Sequence, residues 1–438
     1  KAALYKPIAK NDKATVQEIL KTSENFFKKI GYIFIGYLII LCILYPNIIN
    51  NQFDYLFTIS LIVILSLSTF AQYFLGITYS LFLQAEQENY ITYIIQILAT
   101  ILNAVLVILL VKRGESIQTV KLVSSIIFVM RPIIQNLYVK RKYKINLKNV
   151  DGNYELKQKW DGLSQHVAYI IHNNTDVAVL TLMKNITEVS VYSVYLLVIN
   201  GIRTIIQSFS SGISALLGDM LARDEKEKLE RTFNLYELMH FTLITIIFSV
   251  TLVMIIPFIK VYTKGIQDVN YIRPVFAVIM VFSEIFYACR QPYSSVTFAA
   301  GHFKQLSKGA WIEAISNLTI SIVLTFFIGI EGVAIGTLIS ITIRTIEFIY
   351  YTSKHLLKRK VSNSVKKVGV MLIEMVILFF LCGTFVNISL IENYMEWIEC
   401  ACITTVLSCV IVIGSNILIY KEDVSQLIKI IKNFKISH

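Results

Sequence analysis

The chain has 438 residues, of which 55% are hydrophobic and 16% charged, and its mean hydropathy is +0.63. Soluble domains carry about 25% charged residues, so a soluble globule is excluded, and apolar runs near the ~20 residues that cross a bilayer as a helix imply a polytopic all-α membrane protein. The formal net charge of +12 falls on lysines clustered between the apolar runs, as in loops on the cytoplasmic side of a membrane, and does not imply a nucleic-acid partner.

The first segment is basic and amphipathic. Val16, Ile19, Leu20, Phe26 and Phe27 share one face beside Lys21, Lys28 and Lys29. Such a helix lies in the headgroup plane. The chain begins at Lys1 without an initiator Met or a signal peptide, and further sequence is expected upstream.

Twelve spans follow, approximately at 30–46, 56–77, 90–111, 117–139, 165–183, 189–217, 236–259, 274–298, 310–328, 332–352, 367–387 and 397–420. The segment 165–183 is the most polar, with His166, His172, Asn173, Asn174 and Asp176. It is retained on topology. With twelve spans, the loops alternate between a set holding 29 Lys and Arg and a set holding 6. Lysine and arginine mark the cytoplasmic side, so both ends of the chain are expected there. The longest internal loop, 140–164, is polar and basic and divides the spans into two bundles. The last segment repeats the amphipathic pattern of the first, with Val424, Leu427, Ile428, Ile431 and Phe434 on one face among Lys429, Lys432 and Lys435.

Polar residues recur inside the spans at helical spacing. Asn200, Arg203, Gln207, Ser210 and Ser214 share one face, as do His166, Tyr169, Asn173 and Asp176. Gln96, Thr100 and Asn103 align in a third span, and Glu313, Asn317 and Ser321 in a fourth. An unsatisfied polar group in hydrocarbon costs several kcal/mol, so these stripes face inward, as glue between helices or as the lining of a cavity.

Four arginines carry the functional reading: Arg131, Arg203, Arg290 and Arg344. Each costs roughly 2.5–3.5 kcal/mol at the centre of a span on insertion scales, and such residues usually face protein or a wet cavity. Together they suggest a path for an anion. Arg131 precedes Pro132, where the helix is expected to break or kink. Glu347 follows Arg344 by three residues, so an intrahelical pair competes with a cavity role. Among the acids within spans, Asp176, flanked by His172 and Asn173, and Glu284 are candidates for carrying a coupling ion, or for neutralising an arginine.

The chain has no Walker loop, HExxH, GxSxG or strand-linked GxGxxG pattern, so no enzyme is indicated. The six cysteines include no CxxC and read as small apolar packing residues. No cofactor or metal is expected.

Several stretches resemble one family. These are Ala2-Ala3-Leu4-Tyr5-Lys6-Pro7-Ile8-Ala9 with Asn11-Asp12, and Phe26-Phe27-Lys28-Lys29-Ile30-Gly31. Trp160-Asp161-Gly162-Leu163 with His172-Asn173-Asn174-Thr175-Asp176, and the region from Leu217-Gly218-Asp219 to Phe233, complete the set. They are similar to the Wzx-type, O-antigen and capsule repeat-unit flippases of the multidrug, oligosaccharidyl-lipid and polysaccharide exporter superfamily. The resemblance implies two six-helix lobes plus two extra C-terminal helices, with the first two helices absent before Lys1. Residues 1–139 would form an incomplete N-terminal lobe, 140–164 a cytoplasmic loop, 165–352 the C-terminal lobe, and 353–438 the extra helices and an amphipathic tail.

The resemblance further implies alternating access in a bacterial cytoplasmic membrane and a cationic chamber between the lobes. The cargo would be an undecaprenyl-diphosphate-linked oligosaccharide, with Arg131, Arg203, Arg290, Arg344, Asn200, Gln207 and Asn173 lining its path. Membrane lipids, a polysaccharide polymerase and glycosyltransferases are the implied partners. A cation-coupled drug antiporter, a peptidoglycan-precursor flippase and a non-transporting scaffold remain the alternatives. The anionic-cargo reading depends on the guanidinium groups converging on one chamber without local acids.

Overall fold

The computed structural model describes residues 2–48, 54–147, 150–155, 159–385 and 391–436, and they are almost wholly helical. The chain divides into two compact units, Lys1–Lys157 and Gln158–His438.

The first unit holds α1 (Ala2–Ala9), α2 (Lys13–Ile48), α3 (Tyr55–Ala71), α4 (Ile77–Ala85), α5 (Asn89–Lys112) and α6 (Ile117–Tyr143). Asn11 turns α1 into α2 at φ 54, and Asp12 caps α2 by accepting from the Thr15 amide at 3.1 Å. A π-helical turn, Gln72–Gly76, joins α3 to α4 so that the two form one interrupted span. Pro132 packs at that turn, and a Cβ on Gly76 would lie 2.9 Å from the Pro132 Cβ. Contrary to expectation, α6 runs unbroken through Pro132. The bulge sits in the neighbouring helix instead.

The second unit holds α7 (Lys159–Met183), α8 (Ile186–Ala222), α9 (Lys226–Tyr262), α10 (Pro274–Ala299), α11 (Phe303–Ile328) and α12 (Ile330–Tyr351). After a second π-turn, Thr352–Leu356, come α13 (Val361–Phe385), α14 (Tyr394–Ile419) and α15 (Lys421–Ile436). Its core is centred on α9 and α10, where Phe233, Phe248, Phe276 and Tyr293 are completely buried. Gly329 alone links α11 to α12, at φ +72. Gly332 and Gly336 then bring α12 onto the α11 backbone. A Cβ on Gly332 would lie 2.3 Å from the Leu324 carbonyl carbon, and one on Gly336 2.8 Å from the Ser321 amide nitrogen. Small residues one turn apart permit this close approach within a membrane.

Among the described residues, ten helices are long and apolar enough to span a bilayer. This is a multi-pass membrane protein. Helices α7 and α13, which hold the expected spans 165–183 and 367–387, are not among the ten. The tail forms a helix as expected, but the side chains of Ile428, Ile431 and Phe434 lie outside the described residues.

Candidate functional site

The polar interior of the second unit is built from α7, α8, α10, α11 and α12. At its centre is Asp176 on α7, which is 3% exposed. Its carboxylate accepts from the Tyr192 hydroxyl at 2.9 Å and from the Thr337 hydroxyl at 2.9 and 2.8 Å, with the Asn317 amide at 3.4 Å. Around it, the Thr337 and Ser321 hydroxyls both donate to the Asn317 side-chain oxygen, at 3.1 and 3.0 Å, and Ser321 also reaches the Val333 carbonyl at 3.4 Å. The result is a compact group of oxygens around one buried carboxylate. Among the described residues, no Lys, Arg or His forms an ion pair with Asp176. Among the described residues, no three His, Cys, Asp or Glu side chains gather as a metal site.

Beside Asp176 is a cavity of about 40 Å³, lined by His172, Asn173, Tyr192, Arg203, Glu284 and Thr337 among others. That volume holds a few waters or an ion, not a sugar. His172 is buried, but its ring does not reach Asp176 with a hydrogen bond. Its carbonyl accepts from Asn317 at 3.2 Å, and its Nδ1 has no partner.

The arginines of this unit depart from the sequence expectation. Arg203 is held by Glu284, Nε to Oε1 at 2.9 Å and Nη2 to Oε2 at 2.5 Å, and reaches the Asn173 oxygen at 3.4 Å. Arg290 donates to Glu313 at 2.7 Å. Arg344 pairs with Glu347 at 2.5 Å and lies 3.7 Å from Glu313. The Tyr287 ring lies between two of these cations, 4.6 Å from the Arg203 guanidinium and 4.7 Å from that of Arg290. Three arginines thus meet three glutamates, while Asp176 has no cationic partner among the described residues. The expectation of a cationic lining is corrected here for Arg203 and Arg290, and for Arg344 the structure shows the intrahelical pair with Glu347 that competed with a cavity role. A buried guanidinium in a span needs a counter-ion, and the cheapest is a carboxylate on the facing helix. Of the two readings of Glu284, the structure shows the neutralising one: it is Arg203's partner.

Of the expected cargo contacts, Gln207 donates to the Tyr287 hydroxyl at 3.3 Å, and Asn173 donates to the Tyr169 carbonyl at 2.8 Å. Asn200 is exposed, apart from the Asp176 and arginine networks. Tyr192, Tyr287 and Thr337 were not anticipated. Thr337, Ser340, Arg344 and Glu347 fall at helical spacing, and that stripe on α12 was the available signal.

Gly309 on α11 makes room for the Arg344–Glu347 pair. A Cβ there would stand 1.8 Å from the Glu347 Oε2 and 2.2 Å from the Arg344 Nη1. Gly309→Ala should therefore push the half-exposed Glu347 aside and strand Arg344. The expected cost is about 1–3 kcal/mol, read as a lower unfolding midpoint of the purified protein. An unchanged midpoint would show that the pair contributes nothing.

In the first unit, Arg131 meets no carboxylate among the described residues. It donates to the Gln96 oxygen at 3.2 Å and lies 5.6 Å from the Phe128 ring. The same α5–α6 seam holds a Gln135–Thr92 hydrogen bond at 2.8 Å.

No protein-family model matches the chain, and no curated protein does. Solved structures do. The chain is similar to the Vibrio cholerae MATE transporter VcmN, with a TM-score of 0.65 at 15% identity over 82% of this chain and 84% of that one. A MOP-superfamily transporter from Pyrococcus furiosus, described as having a binding pocket of reversed polarity, scores 0.63 at 14% identity over 82% and 83% of the two chains. The lipid II flippase MurJ in an inward closed conformation scores 0.61 at 16% identity over 92% of this chain and 84% of that one. The fold is that of MOP-superfamily transporters.

Proposed function

We propose that this protein is an ion-coupled transporter that moves a polyprenyl-diphosphate-linked oligosaccharide across a bacterial cytoplasmic membrane by alternating access. The fold likeness to transporters supports the class. The observation that carries the coupling is the oxygen shell of Asp176. One buried carboxylate, the hydroxyls of Tyr192, Thr337 and Ser321, the Asn317 amide oxygen and the Val333 carbonyl make a hard donor set with a single carboxylate. Such a set suits a small hard cation. The ion would replace the hydroxyl protons that now point at the carboxylate, and the hydroxyls would turn their lone pairs inward.

The cargo reading has two supports. Arg131 is an in-span guanidinium met only by an amide and a ring among the described residues. The lipid flippase also aligns with a larger share of this chain than the MATE structures do. Lysine-rich loops would face the cytoplasm, and recruitment of a polymerase and glycosyltransferases belongs to the same proposal. A second reading, a cation-coupled drug antiporter, is favoured by the balanced charges around Arg203, Arg290 and Arg344.

Reconstituted vesicles separate the two. Translocation of a fluorescent polyprenyl-diphosphate glycan, stimulated by an imposed cation gradient, is the expected result. Efflux of a cationic dye with no movement of the glycan would establish the antiporter instead.

A further inference from the structure

Glu374 is a buried acid that the polar interior around Asp176 does not use. It is the fourteenth of the 25 residues of α13 and is buried, while Ile373, Val376 and Ile377 around it are exposed apolar side chains. Among the described residues, no Lys, Arg or His forms an ion pair with it. Lys367, seven residues earlier on the same helix, is taken by Glu237 at 2.8 Å, and Arg359 holds the same carboxylate. The Lys366 ammonium lies over the Tyr420 ring at 5.9 Å.

Across the seam, Oε1 of Glu374 meets the Ser415 hydroxyl of α14. That hydroxyl also lies 3.0 Å from the Val412 carbonyl of its own helix. A serine has one proton to give. Thr404 and Thr405 of α14 both give theirs back to a carbonyl of that helix. With the Ser415 proton directed to Val412 in the same way, the serine oxygen can only accept from Glu374. A carboxyl group donates only when it carries its own proton. The setting agrees, because an ionised carboxylate among apolar side chains, with no cation to meet it, binds a proton instead.

Tyr420, at the end of α14, has a buried hydroxyl without a hydrogen-bond partner. Burial, and then the carboxylates of Glu374, Glu237 and Asp423, push that phenol up to about 12, so it keeps its proton and can turn to Glu374 as a donor. On the α9 side the seam offers the Thr242 hydroxyl, which accepts from Asn416 at 2.9 Å.

We propose that Glu374 is a proton-binding position in the seam between α13 and α14, separate from Asp176 and from the cargo path. The bound proton joins the two helices through Ser415. Its loss sets a carboxylate against the lone pairs of that hydroxyl and parts them. The site stands whether or not the transport reading does.

The test is pH-step difference infrared spectroscopy of the full chain in nanodiscs. At neutral pH the wild type should show a carboxylic C=O band that fades as the pH is raised and is lost in Glu374→Gln. Ser415→Ala should shift that band without removing it. A wild-type minus Glu374→Gln difference made of carboxylate stretches at neutral pH overturns the proposal. Should Glu374→Gln fail to fold, labelling of the wild type with dicyclohexylcarbodiimide decides. This reagent takes the acid form: the carboxyl oxygen adds to its central carbon and the proton passes to one nitrogen. The acyl group then migrates to the other nitrogen, and nothing leaves. An adduct mapped to Glu374 that declines with rising pH upholds the site, and no adduct there at any pH overturns it.

Discussion

Asp176→Asn should abolish stimulation of transport by the coupling cation while leaving the protein inserted and folded. The substitution keeps shape, and with its amide oxygen in the place of Oδ2 both Tyr192 and Thr337 can still donate to it. It removes the only negative charge in that oxygen shell. A hydrogen bond or contact to a charged group contributes about 1.5–3 kcal/mol, which corresponds to at least tenfold in ion affinity. Thr337→Val and Ser321→Ala each remove one neutral oxygen and should weaken the ion response less. The measurement is initial transport rate in vesicles against sodium, potassium and choline, with proton gradients imposed separately. Full ion stimulation in Asp176→Asn would move the coupling site elsewhere.

The largest effect on stability is expected at Glu237, which no transport step uses. It is completely buried on α9. Arg359 grips it with contacts of 2.6 and 2.9 Å, Lys367 on α13 reaches it at 2.8 Å, and the Tyr293 hydroxyl donates to it as well. Two cations thus share one carboxylate, and Ser364 completes the group at 3.1 Å. Glu237→Gln would leave both cations buried without a counter-charge. Breaking a buried pair in this way costs about 3–5 kcal/mol. The purified variant should unfold at a clearly lower denaturant or temperature midpoint, whereas Asp176→Asn should not. Because Arg359 and Lys367 tie α13 to α9, a cysteine pair across those helices should also cross-link less efficiently in Glu237→Gln. A midpoint equal to wild type would mean that the cluster relaxes to solvent.

Much of this architecture was legible from periodicity. The apolar runs gave the helices, and the stripe Glu313, Asn317, Ser321 named three of the residues that now surround Asp176 or Arg290. The Arg344–Glu347 pair was legible because its partners are three residues apart on one helix. Glu284 was recognised as an in-span acid, but its pairing with Arg203, 81 residues away, depends on how α8 meets α10, which spacing does not encode. Thr337 was overlooked for a different reason. In an apolar helix a threonine reads as a β-branched filler, and only the fold shows its hydroxyl turned to a carboxylate. Glu237 was missed because it lies near the start of a long helix whose first turns are charged, and its burial comes from α13 packing over it. The expected cationic lining is neutralised in the second unit on the same ground: sequence counts charges but not their partners.

The glycines of α12 have a mechanical consequence. With Gly332 and Gly336 seated on the α11 backbone, those two helices cannot slide past each other without a steric collision. Asn317, Ser321, Val333 and Thr337 therefore travel as one body, and Asp176 rides on a separate rod, α7. Widening or tightening of the oxygen shell must then be a displacement of α7, or of α8 with its Tyr192, against that fused pair.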